Sequence, residues 1–228
     1  VAVELDHLTL VAGGRPLVDD VTLRLAAGGV HGIVGRNGSG KSALLACLAG
    51  LLPPTQGTVR TLGQPPGARC LRGRVAVLFQ DEEPYPSQRV SDYLKGYAQA
   101  IGGLGNNWLD SVAEFIRHLS PIPLGSMRLD RLSPGQRRAV AIARALLGRP
   151  ELLLLDDPFD RLDAIVAVQV ARRLEAVAAG GATVVVATNG FAPLAACATT
   201  CWVVRDRGLV EVAAEVAPIT ASLAEATP

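Results

Sequence analysis

Residues Gly35-Arg36-Asn37-Gly38-Ser39-Gly40-Lys41-Ser42 fit the pattern G-x-x-x-x-G-K-[ST]. Glycines at those positions let consecutive backbone amides approach and point at phosphate oxygens. Lys41 supplies a cation for the β- and γ-phosphates, and the Ser42 hydroxyl is a ligand for Mg²⁺. With Ala43 inside the first turn, the helix that follows directs its positive end at the same anion. A second cluster, Asp156-Asp157, closes a run of four leucines, Leu152 to Leu155. A hydrophobic strand ending in acid delivers Asp156 to the Mg²⁺ shell opposite Ser42. Cys47, Cys70, Cys197 and Cys201 form no paired metal-ligand spacing and read as small buried thiols.

These residues need elements to hold them. Val30 to Val34 reads as a strand feeding the glycine loop, and Ser42 to Ala49 as a helix stopped by Gly50 and Pro53-Pro54. Thr58 to Thr61, Val75 to Phe79, Leu152 to Leu155 and Thr183 to Ala187 read as further strands, and Cys201 to Glu211 as a hairpin turning at Asp206-Arg207-Gly208. Strands alternating with helices predict a parallel sheet flanked by helices. From Val90 to about Leu119 the apolar residues instead recur at helical spacing, with Gly102-Gly103 and Gly105 separating two helices, so an α-helical insertion is expected.

Composition sets the outer bounds. The chain has 228 residues, Lys+Arg 22 against Asp+Glu 21, a net charge of +1 and 49% hydrophobic residues. That length supports one large domain, and the charge balance excludes a chain whose main task is to coat nucleic acid or anionic lipid. Aromatics at 4% leave Ala, Val and Leu to build the core. Between Glu175 and Arg205 no residue is charged, but Asn189-Gly190, Pro193 and Thr199-Thr200 divide the run into pieces too short for a membrane span. Leu194 to Ala198 reads as a short helix within it. Val1 to Leu10 alternates and carries Glu4, Asp6 and His7, so it does not read as a signal peptide.

With these residues assembled, the chain resembles the nucleotide-binding ATPase subunit of ATP-binding cassette (ABC) transporters over nearly its whole length. Leu132-Ser133-Pro134-Gly135-Gln136 is similar to the family signature LSGGQ, Gln80 follows a strand as the Q-loop glutamine does, and Leu162-Asp163 matches the end of the D-loop. Ser133 and Gln136 also fit a capping box with Pro134 at the first helical position. The resemblance implies an α/β P-loop NTPase with a RecA-like, mostly parallel core, an N-terminal antiparallel β subdomain and an inserted α-helical subdomain. One domain over 1–228 is expected, with core at 1–86 and 137–228 and the helical signature subdomain at 87–136. It implies ATP and Mg²⁺ as ligands, the metal held by Ser42, Asp156 and Gln80. It also implies a head-to-tail dimer with the same or a second nucleotide-binding subunit, a separate transmembrane permease docking near Gln80 and Tyr85 to Tyr97, and no nucleic-acid partner. The location implied is the cytoplasmic face of the membrane. Pro86 to Leu94 is similar to subunits serving exporters.

Departures from the family pattern bear on catalysis. Pro134 replaces a glycine and removes an amide donor. Asp157 stands where the family has a glutamate that positions the attacking water, one methylene longer. Asn189 aligns with the histidine that contacts the γ-phosphate, and Ala12 with the aromatic that stacks on adenine. Gln80, Asp157 and Asn189 remain the candidate catalytic set, with hydrolysis expected to be slow. The alternative is a regulatory nucleotide-binding module paired with a competent second cassette. A soluble relative in DNA repair or translation would carry long coiled-coil insertions or tandem cassettes, and neither is present.

Overall fold

The computed structural model describes residues 1–81, 87–101 and 124–214. Two sheets organise them. Strands β1 (Val3–Ala12), β2 (Arg15–Leu25) and β4 (Gln56–Thr61) form an antiparallel sheet in the order β2-β1-β4. The second has six strands in the order β5-β6-β7-β3-β8-β9, comprising β5 (Val75–Leu78), β6 (Leu152–Asp156), β7 (Thr183–Thr188), β3 (Val30–Val34), β8 (Thr200–Arg205) and β9 (Gly208–Val212). Its neighbours are parallel except the β8–β9 hairpin.

The parallel strands are apolar on both faces because both faces are covered. Leu153, Leu155, Val184 and Val186 point into one core with Val140, Ile142, Val170 and Leu174. Leu152, Leu154, Val185 and Ala187 point into the other, with Leu44, Leu45 and Leu48 and the antiparallel sheet. Every residue of β3, β6 and β7 is buried, so these strands read as continuous hydrophobic runs rather than alternating ones.

Helices α1 (Lys41–Leu48), α2 (Val90–Ala100), α3 (Pro134–Leu146), α4 (Ala164–Ala179) and α5 (Ala192–Ala195) complete the described structure. Helix α3 runs unbroken through position 136. Arg144 of α3 lies over the Tyr97 ring of α2 at 4.9 Å and donates to Val77 O of β5 at 3.1 Å, tying both to the sheet edge. The expected helical features at Gly102 to Leu119, Tyr85 and the chain after Pro218 lie outside the described residues.

Two expectations are corrected. The short helix expected at Leu194 to Ala198 begins earlier, at Ala192, and ends at Ala195. Pro193, whose missing N–H needs no partner in a first turn, starts that helix rather than preceding it. The thiols also divide: Cys47 and Cys201 are buried and Cys197 is partly so, but Cys70 is exposed on a short 3₁₀ turn, Arg69–Leu71. Burial raises Cys47 to about 11 and Cys201 to about 12, leaving both as inert thiols.

Candidate functional site

The C-terminal ends of β3, β6 and β7 converge on the glycine loop. Val34 closes β3, and Gly35 N donates to Thr188 O of β7 at 3.2 Å, so the loop leaves the sheet anchored. Gly40 caps α1 at φ +97°, where a Cβ would meet Leu17 O at 2.8 Å. Only glycine satisfies both that backbone region and that approach. Leu44 N donates to Gly40 O at 2.9 Å to open the helix, and Ser39 N donates to Arg36 O at 3.2 Å within the loop.

Lys41 is buried and folded back onto its own loop. Its Nζ donates to Gly35 O at 2.8 Å and Arg36 O at 2.9 Å. Burial lowers its pKa, while the carboxylates of Asp157 and Asp156 oppose the shift. An ammonium held by two neutral carbonyls in a buried setting is poised to exchange them for anionic oxygens, since charge-assisted bonds are the stronger.

Asp156 ends β6 almost fully buried. Burial raises its carboxyl pKa, with Asp157's charge adding to the rise; a Ser42 hydrogen bond and the nearby Lys41 and Arg138 charges act against it. Its Oδ1 is buried and has no hydrogen-bond partner among the described residues. A buried, unsatisfied carboxylate oxygen beside a hydroxyl is costly alone and is the donor set that a hard oxygen-seeking cation takes. The residues present therefore fit Mg²⁺.

Asp157 adopts φ +44°, an unusual region for a residue with a Cβ. Bonds on both sides impose it: Asp157 N donates to Ala187 O at 2.7 Å, and Asp160 N to Asp157 O at 3.1 Å. Its Oδ1 accepts from Asn189 N at 3.1 Å. The Asn189 side chain in turn donates from Nδ2 to Asn37 Oδ1 at 2.9 Å, bridging to the glycine loop. The structure thus joins Asp157, Asn189 and Asn37 in one chain of hydrogen bonds.

Gln80 follows β5 with its residue exposed, and its carbonyl accepts from Arg138 Nη1 at 3.4 Å. Arg138, on α3, escaped the sequence reading. Nearly buried, it also donates to Phe79 O at 3.0 Å, to Asp157 O at 2.9 Å and to Asp156 O. One guanidinium thereby ties the start of α3 to the strand ends carrying Gln80 and both aspartates. A buried arginine gives no periodic signal, so only its contacts identify it.

Ser133 caps α3 with the expected box. Gln136 N donates to Ser133 Oγ at 3.2 Å, and Ser133 N donates to Gln136 Oε1 at 2.9 Å, with Pro134 in the first turn. A Cβ on Gly135 would meet Arg161 O at 3.0 Å and Leu162 Cδ2 at 3.9 Å, so this turn packs against the segment leading to Asp163 in its own chain. Asp163 itself caps α4, its Oδ1 accepting from Val166 N at 2.8 Å.

Beside the glycine loop opens a cleft of about 920 Å³ lined by Arg36, Asn37, Gly38 and Ser39, by Arg15 of β2 and by Arg207 of the β8–β9 turn. Arg15 and Arg207 were also missed. They lie at opposite ends of the sequence, and Asp19 N donating to Arg207 O at 3.0 Å brings the two elements together.

Comparison with known proteins bears on the family and the fold. The family described as ABC transporter matches residues 18–160. The chain is 35% identical over 174 residues to the aliphatic sulfonates import ATP-binding protein SsuB 1 of Burkholderia cenocepacia (strain HI2424), covering 76% of this chain and 51% of that one. It is also 35% identical over 170 residues to the taurine import ATP-binding protein TauB of Escherichia coli O6:H1 (strain CFT073), covering 73% and 65%. The chain thus spans between about half and two-thirds of these curated relatives. Among solved structures, an ATP-binding subunit of an ABC transporter superposes with TM-score 0.84 at 21% identity, covering 93% of this chain and 90% of the other. A nucleotide-free ATP-binding cassette superposes with TM-score 0.81 at 19% identity, covering 98% and 95%. At those identities the structures speak to the fold, and the fold is that of an ABC ATPase. With a family match over most of its length and the loop, acidic strand end and capped helix in order, the chain belongs to the ABC transporter family.

Proposed function

We propose that the chain binds Mg-ATP and couples its binding and hydrolysis to substrate movement by a separate membrane permease, with weak intrinsic hydrolysis. The observation that carries the reading is the Asp156 Oδ1 without a partner among the described residues beside Ser42, at the mouth of a loop whose lysine donates to two neutral carbonyls. In this reading the loop amides of Gly38 to Lys41 bind phosphate oxygens, and Lys41 leaves Gly35 O and Arg36 O for the β- and γ-phosphates. Ser42 and Asp156, with Gln80 from the edge strand, would hold Mg²⁺, which when bound supplies charge neutralisation between the phosphates. Asp157 orients the attacking water and Asn189 the γ-phosphate. Each is pre-engaged, Asp157 by Asn189 N and Asn189 by Asn37, and each is shorter than its family counterpart. Ser133, Gly135 and Gln136 face the nucleotide of a second subunit, beside Asp163.

The relatives are named for import of sulfonates and taurine, which supports import rather than the export suggested by Pro86 to Leu94, a stretch lying partly outside the described residues. No helix among the described residues is long and apolar enough to cross a membrane. The relatives are named as ATP-binding proteins of import systems, which supports a permease on another chain and attachment to it at the membrane. A second reading, a nucleotide-gated module paired with a competent cassette, is favoured by the engagement of Asp157 and Asn189.

Titration of the chain with Mg-ATP in a calorimeter tests the proposal. Saturable heat is expected, with affinity lowered at least tenfold by Lys41→Ala; no heat in the unaltered chain would overturn it.

A further inference from the structure

Ala12 stands where the resemblance implies an adenine-stacking aromatic, and a planar group of another kind, the Arg15 guanidinium, belongs to the residue across the hairpin from it. Ala12 is register partner to Arg15 across the β1–β2 hairpin. Directly opposed residues share one face of a sheet with Cβ atoms about 5 Å apart. Arg15 lines the 920 Å³ cleft that continues from the glycine loop, and Arg207 lines it from the β8–β9 turn. That turn is tied to β2: Asp206 and Arg207 both adopt positive φ, at 48° and 66°, and Arg207 O accepts from Asp19 N at 3.0 Å. The cleft is within the size range of small-ligand sites.

Charge in the cleft is biased toward the ligand. Arg36, Arg15 and Arg207 converge on it, all exposed, and none is in an ion pair among the described residues. The two acids on its wall are engaged elsewhere: Asp19 Oδ1 accepts from Thr9 Oγ1 at 3.4 Å, and Asp206 pairs with Arg205 at 3.7 Å. A guanidinium is planar and weakly hydrated, and it stacks on aromatic faces, which an ammonium cannot do. Such stacking discriminates little among bases because each has a π-face.

We propose that Arg15 and Arg207 hold the nucleobase by guanidinium stacking in place of the absent aromatic, so that the cleft accepts Mg-ATP and Mg-GTP with similar affinity. This deepens the nucleotide-binding reading and rests on it. It differs from the family's aromatic arrangement in the residue type, in the second strand that supplies it and in base tolerance.

The test uses the full chain, titrated with Mg-ATP, Mg-GTP and magnesium tripolyphosphate, the last reporting the phosphate loop without a base. ATP and GTP affinities within about threefold of each other are expected. Arg15→Ala with Arg207→Ala should weaken ATP about tenfold and tripolyphosphate far less. Arg15→Lys with Arg207→Lys, which keeps charge but not the plane, should fail to restore ATP binding, whereas Ala12→Tyr in the double-alanine background should restore it and favour ATP over GTP. Unchanged ATP affinity in the double-alanine chain, or full rescue by the lysines, overturns the proposal while leaving phosphate binding intact. If the unaltered chain takes up neither tripolyphosphate nor ATP, the nucleotide reading itself fails, and this inference with it.

Discussion

Asp156 is a buried carboxyl with one oxygen lacking a hydrogen-bond partner among the described residues. Its carboxyl pKa is raised chiefly by burial, so the folded state holds a proton that the unfolded state has already released. Stability should therefore fall as pH rises from the ordinary aspartate range through the raised folded value, and be recovered as pH falls back through it. Thermal melts in EDTA between pH 4 and 7 are expected to show this loss, and Asp156→Asn should flatten it and raise Tm at pH 7. The same substitution should remove the stabilisation that Mg-ATP confers on the unaltered chain. Asp157 and Asn189 make a second prediction at this scale. If their shorter side chains misplace water and γ-phosphate by about 1 Å, the rate deficit is on the order of 10²-fold. Asp157→Glu with Asn189→His should raise steady-state phosphate release by between tenfold and a hundredfold. Brisk turnover in the unaltered chain, abolished by Lys41→Ala, would show instead that the short residues suffice.

Among the elements, α3 is fastened at its start twice over, by the Ser133–Gln136 box outside and Arg138 within. Arg138 supplies donors to the carbonyls of Phe79, Gln80, Asp156 and Asp157, at the ends of two neighbouring strands. Arg138→Met retains volume but orphans buried acceptors, at about 1–3 kcal/mol for a group left unsatisfied. We expect a loss of about 3 kcal/mol, read as a fall in Tm of about 9 °C for a chain of this size. The sequence revealed α3 itself, because Ser-Pro-Gly-Gln opens a helix by local hydrogen bonding alone. It did not reveal Arg138, which is one of several arginines on that helix and differs from Arg137 only in which way the sheet lies.

At the scale of the whole molecule, the Ser133 to Gln136 turn packs on Arg161 and Leu162 of its own chain. If, as proposed, this turn covers nucleotide held by a second subunit, nucleotide should drive association. Sedimentation is expected to shift from monomer to dimer on adding Mg-ATP, with Ser133→Arg blocking the shift while leaving nucleotide heat unchanged. A chain that stays monomeric at saturating nucleotide would argue that another cassette supplies the second half.

What was legible without coordinates was whatever depends on neighbours along the chain. The Gly35 to Ser42 loop, the leucine strand ending in Asp156 and the capping box at Ser133 are written in short segments, since amide geometry, strand burial and helix capping act over a few residues. The alternation of strands and helices followed from the same local terms. Tertiary structure alone decided which distant groups meet. Arg15 and Arg207 share a cleft because the β8–β9 turn docks on β2, Asn189 reaches Asn37 because β7 lies beside β3, and Arg138 finds four carbonyls because α3 packs on the ends of β5 and β6. Such contacts join residues far apart in sequence, and no period or spacing announces them.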